Sequence, residues 1–253
     1  MSENANETDK SRETPAIEHE YGHASKLHLK IIARIRTDFP DKFGIPRQSG
    51  IVNSLKGAVV FEPEYRDANA LRGIEGFSHI WLIWGFSRSL RDKDSRTVTV
   101  KPPRLGGNKR MGVFATRSPF RPNPLGLSSV RLDRIEQHPE LGPVLHVSGA
   151  DMVDKTPIYD IKPYLAFTDS HPEASGGFAD PYRDYGLEVV FAEELIAMIP
   201  EKHREALLGI LVHDPRPAYQ NDPERIYGFG FAGYNVRFTV QDTIITVCEV
   251  TKL

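Results

Sequence analysis

Pro119, Pro122 and Pro124 punctuate the segment GVFATRSPFRPNPLGLSSV at 112–130. Each proline fixes φ and removes a backbone donor, so the polar side chains among them, Arg117, Arg121 and Asn123, are held in place. The run leading into this segment is basic. Residues 88–121 carry ten Lys or Arg against two acids, Asp92 and Asp94, inside a chain whose formal net charge is −2. Charge runs are usually solvated loops. This one is interleaved with Pro102, Pro103, Gly106 and Gly107, which shape its backbone, and that favours a surface for a polyanion or phosphate. Two further polar clusters stand out. GIPRQSG at 44–50 places Arg47 and Gln48 in a tight loop, and GADMVDKTPIYDIKPY at 149–164 presents Asp151, Asp154 and Thr156 directly after a strand.

Other motifs tempt and fail. GFGFAG at 228–233 matches G-x-G-x-x-G but is followed by a strand-like run, whereas a dinucleotide site needs a helix there to meet the pyrophosphate. LGGNKRMG at 105–112 lacks P-loop spacing, and no G-x-S-x-G elbow surrounds Ser118, Ser128 or Ser129. The nine histidines show no metal-ligand spacing, so no metal is expected. His79, taken alone at the head of an apolar strand, reads as a core histidine. Cys248, the single cysteine, lies among Ile, Val and Thr and reads as a buried, inert thiol.

These residues need positioning. The 253 residues are 40% hydrophobic and 26% charged, which excludes a disordered chain, a collagen-like repeat and a coiled coil. Residues 1–20 hold six acids and two bases and read as a flexible acidic tail with no hydrophobic leader. No apolar stretch is long enough to cross a membrane, and the cytoplasm is the expected location. Short β-rich runs recur at 27–36, 57–61, 79–86, 97–100, 112–115, 127–135 and 144–152, with no amphipathic helix between them. That predicts a mainly β fold: an antiparallel barrel or sandwich over 21–168. A linker is expected at 169–183, then a small α+β domain at 184–253. There a helical stretch at 193–214 is split by Pro200 and given an apolar face by Leu207, Leu208 and Leu211, and strands follow at 234–240 and 243–250.

PRQSG, GFSHIWLIW, PPRLGGNKRMGVFATRSPFRPNPLGLS and D-x-V-D-x-T-P followed by DIKPY together resemble the TrmO (TsaA-like) tRNA methyltransferases. The resemblance runs through 27–168 and resumes at DPRPAY (214–219) and NVRF (235–238). It implies a TsaA-like β-barrel that uses S-adenosylmethionine to methylate N6 of the threonylcarbamoylated adenosine at tRNA position 37. It also implies a homodimer with the cofactor near the subunit interface. Carried over by motif, the cofactor residues are Pro46, Arg47, Gln48, His79, Ile80, Arg117, Leu127, Asp151, Met152, Val153, Asp154 and Thr156. The acceptor nitrogen is a poor nucleophile until its proton leaves, which a carboxylate such as Asp154 or Asp151 could accept, either of which could instead contact the cofactor. Asp154, Arg117 and Asn123 are the expected catalytic residues. Arg104, Lys109, Arg110 and Arg121 are expected to contact the anticodon stem-loop. Two other readings stay open at this point: a non-catalytic RNA-binding barrel, and a methyltransferase acting on a small molecule.

Overall fold

The computed structural model describes residues 27–87, 98–102, 110–216 and 222–253. Within them the chain runs β1 (Ala33–Thr37), β2 (Lys56–Phe61), β3 (His79–Gly85), β4 (Thr99–Val100), β5 (Met111–Gly112) and β6 (Leu125–His138). It continues with β7 (Gly142–Ser148), β8 (Thr156–Pro163), α1 (Ala166–Asp169), β9 (Glu188–Val190), α2 (Glu193–Ala197) and α3 (Glu201–Val212). The last strands are β10 (Tyr227–Phe231), β11 (Tyr234–Gln241) and β12 (Ile244–Lys252).

Strand alternation explains the barrel. Along β1, Ala33 and Ile35 point inward and are fully buried while Arg34 and Arg36 face water. Along β3, Ile80, Leu82 and Trp84 point inward. Strands patterned this way bury one face only. They close into an antiparallel barrel in the order β1-β2-β7-β6-β3-β8, completed where Ala33 faces Ile158, and closure leaves no open sheet edge. Gly126 makes room for the largest inward side chain: it lies across the ladder from Trp84, and a Cβ on it would fall 2.2 Å from the indole Cε2.

The small domain has a four-stranded sheet in the order β10-β11-β12-β9, with β9 parallel to β12 and the other pairs antiparallel. Ala206, Leu207, Ile210 and Leu211 of α3 pack into its core, and Pro200 separates α2 from α3 as the sequence implies. Leu208 is only half-buried. The glycine-rich GFGFAG is β10 and its hairpin turn. Ala232 and Gly233 both have positive φ (50° and 81°), the signature of a two-residue primed turn, so a strand and not a helix N-terminus follows it.

The segment between β1 and β2 belongs to both halves. Its Phe39, Val52 and Leu55 are buried in the core of the small domain, and Ile45 packs against it. Its backbone is tied to the barrel: Gly50 N–H donates to the Gly149 carbonyl (3.0 Å), Gly149 N–H to Leu55 (2.8 Å) and Asp154 N–H to Phe39 (2.9 Å). The interlock joins residues far apart in the sequence, so composition and punctuation give no sign of it.

Four local readings change. The strand expected at 27–36 begins only at Ala33; Leu27 is 85% exposed. GVFA at 112–115 is the end of β5 followed by a single 3₁₀ turn, with Phe114 exposed. TPIYDIKP, absent from the β-rich runs expected from the sequence, is strand β8; Pro157 and Pro163 disguise it, since proline is usually depleted in strands. Cys248 is exposed, because β12 turns Ile245, Val247 and Val250 inward and Cys248 outward.

Candidate functional site

The proline-fixed 116–124 loop is braced by its own hydrogen bonds. Thr116 Oγ1 donates to the Val113 carbonyl (2.9 Å), Ser118 N–H to Thr116 Oγ1 (3.3 Å) and Phe120 N–H to Ser118 Oγ (3.2 Å). Arg121 adds a fourth brace, its Nη1 donating to the Thr116 carbonyl at 2.9 Å. This rigid loop carries Arg117 across to the β1–β2 segment, where its Nη1 donates to Gln48 Oε1. Two motifs 69 residues apart in the chain thereby meet.

Asp151 joins them. It follows β7 on a segment anchored by Met152, which is 1% exposed inside the barrel. Its Oδ1 accepts from Ser128 Oγ at 2.7 Å, and the carboxyl also takes a hydrogen bond from the Ser49 backbone. Burial pushes the Asp151 carboxyl up to about 6; the Ser128 hydrogen bond, backbone amides and the positive charge of Arg117 oppose the rise without cancelling it. Gln48, Arg117, Asp151 and Ser128 therefore form one polar cluster supplied by three separate parts of the chain.

Asp154 lies outside this cluster. Its Oδ1 accepts from the Thr37 backbone N–H (3.2 Å), while Thr37 Oγ1 donates to the Met152 carbonyl (2.9 Å). Thr156 is 3% exposed and donates to the Val153 carbonyl at 2.7 Å. Val153, Asp154 and Thr156 thus shape the turn into β8, helped by Lys155 at φ 65°. Ile80 is 0% exposed, so the Ile80 and Met152 side chains are core, and only the backbone at either position is available to a ligand.

His79 and Leu127 lie on the outer wall of the barrel. Leu127 is 57% exposed and pairs with Ile83, while His79 is exposed at the far end of β3 and pairs with Arg131. The His79 Nδ1 is 2.9 Å from Ser78 Oγ, and its ring lies 6.1 Å from that of Tyr164, which is itself 5.5 Å from Trp81. His79 is therefore not the core histidine that its sequence context alone suggests. Asn123 is exposed on the braced loop, and Arg110 reaches Thr99 Oγ1 at 2.8 Å. Arg104 and Lys109 lie outside the described residues, as do Arg88, Arg91, Lys93 and Arg96.

Pro46 is buried and Arg47 borders a cleft of about 250 Å³ shared with the small domain, lined also by Lys42, His213, Asp214 and Arg216. Asp214 and Arg216 form a buried bidentate pair, with both nitrogen–oxygen distances at 2.9 Å, and Tyr185 donates its hydroxyl to Asp214 at 3.0 Å. This pair opens the DPRPAY motif, whose residues 217–219 lie outside the described residues.

Sequence reasoning missed Ser128, Trp84 and the Ser49 backbone. A signal for the first exists: Ser128 falls at an inward position of β6 between Gly126 and Val130, and a buried hydroxyl there needs a partner. No group of three or more His, Cys, Asp or Glu placed to hold a metal occurs among the described residues.

A closed antiparallel barrel whose loops gather an amide, a guanidinium and a half-buried carboxyl is an enzyme scaffold of the barrel type, distinct from the parallel α/β nucleotide folds. The chain belongs to the TrmO family of methyltransferases: residues 34–170 match the tRNA-methyltransferase O N-terminal domain and residues 184–253 the TrmO C-terminal domain. A tRNA (adenine(37)-N6)-methyltransferase of Escherichia coli is 39% identical over 226 residues, covering 86% of this chain and 95% of the relative. A Pseudomonas aeruginosa relative, RcsF, is 40% identical over 205 residues (78% of this chain and 85% of the relative) and is provisionally named an S-adenosylmethionine-dependent methyltransferase. A crystal structure of TrmO from Pseudomonas aeruginosa superposes with a TM-score of 0.73 at 30% identity, covering 92% of this chain and all of that one.

Proposed function

We propose that the protein transfers a methyl group from S-adenosylmethionine to N6 of N6-threonylcarbamoyladenosine at position 37 of tRNA. The observation that carries this reading is the convergence of Gln48, Arg117 and Asp151 from three separate motifs. The donor set fits the cofactor. Arg117, next to Gln48, is suited to a carboxylate, which both the cofactor and the threonyl group of the substrate possess. Asp151 is an acceptor suited to an N–H group. When bound, S-adenosylmethionine supplies the methyl group, its sulfur keeping the bonding electron pair as the neutral thioether.

The chain's own task is positioning and proton removal. The acceptor N6 lies between a purine ring and a carbamoyl carbonyl, and its lone pair becomes available as its proton departs. Asp151 takes that proton on a carboxylate oxygen and releases it to solvent after turnover. With a carboxyl that ionises near 6, it is charged and basic at neutral pH. Asp154, committed to the Thr37 backbone, is the weaker choice for this role. Asn123 and Arg121 are carried on the same braced loop as Arg117, with Arg110 and the basic run contacting anticodon-stem phosphates.

A homodimer completes this reading. The exposed Leu125 and Leu127 on the outer wall, with His79 further along, form a surface that a second copy covers, bringing those family cofactor positions toward a shared site. The cytoplasm, where tRNA is abundant, is the proposed compartment. The test is transfer of labelled methyl to two purified tRNA pools, one with and one without the threonylcarbamoyl group at position 37. Incorporation into the modified pool alone is the expected result. Binding of tRNA without any incorporation would make the barrel a binding module.

A further inference from the structure

Trp84, Ser128 and Asp151 form a hydrogen-bonded line from the barrel core to the polar cluster. Trp84 Nε1 donates to Ser128 Oγ at 2.9 Å, and Ser128 Oγ donates to Asp151 Oδ1 at 2.7 Å. The indole N–H can only donate, and a serine hydroxyl has a single proton. Ser128 is 1% exposed and Trp84 7%, so water does not compete for these groups. The direction of the line is therefore fixed. By occupying a lone pair of Ser128, Trp84 turns the serine proton toward Asp151.

The backbone is built for this. Gly126 and Ser128 are two residues apart on the inward face of β6, and Gly126 leaves the space that the indole fills. A side chain at Gly126 would displace the ring and with it the donor. An apolar barrel needs no such arrangement, since a valine at 128 and a phenylalanine at 84 would fill it without buried polar atoms. Buried polar groups of this kind cost free energy unless they are paired.

We infer that Ser128 and Trp84 are positioning residues for the methyl-transfer reaction, holding Asp151 in one rotamer and favouring its charged form. This rests on the reading of Asp151 as the proton acceptor. The charged group facing Asp151 is Arg117 of the 116–124 loop. The β1–β2 segment offers it the Ser49 backbone beside the neutral amide of Gln48, β6 offers Ser128, and β3 reaches it only through Trp84. Removing Ser128 leaves Arg117 as the main remaining side-chain support for the carboxylate in a site where burial opposes charge.

The test is the pH dependence of kcat for methyl transfer to threonylcarbamoylated tRNA by the full-length protein. The wild type has an acidic limb near the Asp151 titration, at about 6. Ser128→Ala moves that limb upward by about one unit, so that the rate at neutral pH falls several-fold and recovers in alkali. Ser128→Thr keeps the hydroxyl and restores the wild-type limb. Trp84→Phe moves the limb in the same direction by less. If Ser128→Ala does not fold, Ser128→Cys, with a weaker donor, replaces it with the same expected direction. A rate lowered equally at every pH, with the limb unmoved, would overturn the inference and leave Ser128 a packing residue. The Asp151 titration, followed in the same variants by carboxyl-carbon NMR, needs no turnover. An upward shift there, in a wild type that transfers no methyl group, would retain the line of hydrogen bonds while removing the catalytic reading.

Discussion

Gly44 lies against the ring of Phe229: a Cβ on Gly44 would fall 2.4 Å from the ring Cδ2, and its φ of +82° is one that other residues rarely adopt. Gly44 begins the loop that carries Pro46, Arg47 and Gln48, and Phe229 belongs to the sheet of the small domain. The small domain therefore sets the place from which Gln48 reaches Arg117. Gly209 of α3 reinforces this, since a Cβ there would meet Val52 at 2.6 Å.

Gly44→Ala is expected to destabilise the fold by about 2–4 kcal/mol, from strain at positive φ together with overpacking against Phe229. Thermal unfolding measures that loss. Because the displaced loop carries Gln48, cofactor affinity falls more than affinity for tRNA in protein that remains folded. Equal losses in both would mean that the loop has no special tie to the cofactor.

Arg117→Ala is expected to weaken S-adenosylmethionine binding by about 10-fold, the consequence of losing a charge-assisted contact. Calorimetric titration of the cofactor reads this directly. Unchanged cofactor affinity with lost turnover would place Arg117 on the threonyl carboxylate of the substrate instead.

The Asp151 carboxyl also predicts how stability depends on pH. Its folded value of about 6 lies above the ordinary 3.8, so between these values the folded state holds more proton than the unfolded state. Stability contributed by this group is therefore full below the ordinary 3.8, falls as pH rises from there to about 6, and is gone above it. Asp151→Asn removes the dependence and is expected to be the more stable protein at neutral pH, by on the order of 2 kcal/mol. Denaturant midpoints of the two proteins, compared at acid and neutral pH, check the sign.

Binding of tRNA is expected to weaken steeply with salt, since the proposed contact of the basic segment with phosphates would release counterions. Arg110→Ala should lower affinity and reduce the slope of log affinity against log salt by about one. Arg121 is the poorer choice for this experiment, since it also braces the loop through the Thr116 carbonyl.

Much of this protein is legible in its sequence, for reasons that can be assigned. Inward–outward alternation in HIWLIWG and LSSVRLDRI marks β3 and β6, and the strand-like run after GFGFAG, where a dinucleotide site needs a helix, exposes its false fingerprint. β8 is hidden because its two prolines argue against a strand, and only the barrel partners β1 and β3 show why it forms. The site is legible in composition but not in assembly. Arg117, Gln48 and Asp151 each stand out, yet nothing in the order of residues says that Asp151 joins them while Asp154 turns to Thr37. Ile80 belongs to a motif carried over from the family, but the strand period buries its side chain in the core.

The most direct test sets the two carboxylates side by side: single-turnover methyl transfer to threonylcarbamoylated tRNA by Asp151→Asn and by Asp154→Asn, with cofactor affinity measured in parallel. The predicted result for Asp151→Asn is a loss of at least about 100-fold in rate, within the range for removal of a general base, while the cofactor still binds. Asp154→Asn should lose stability before it loses chemistry. Near-normal turnover by Asp151→Asn would contradict the account and return the proton acceptor to another group.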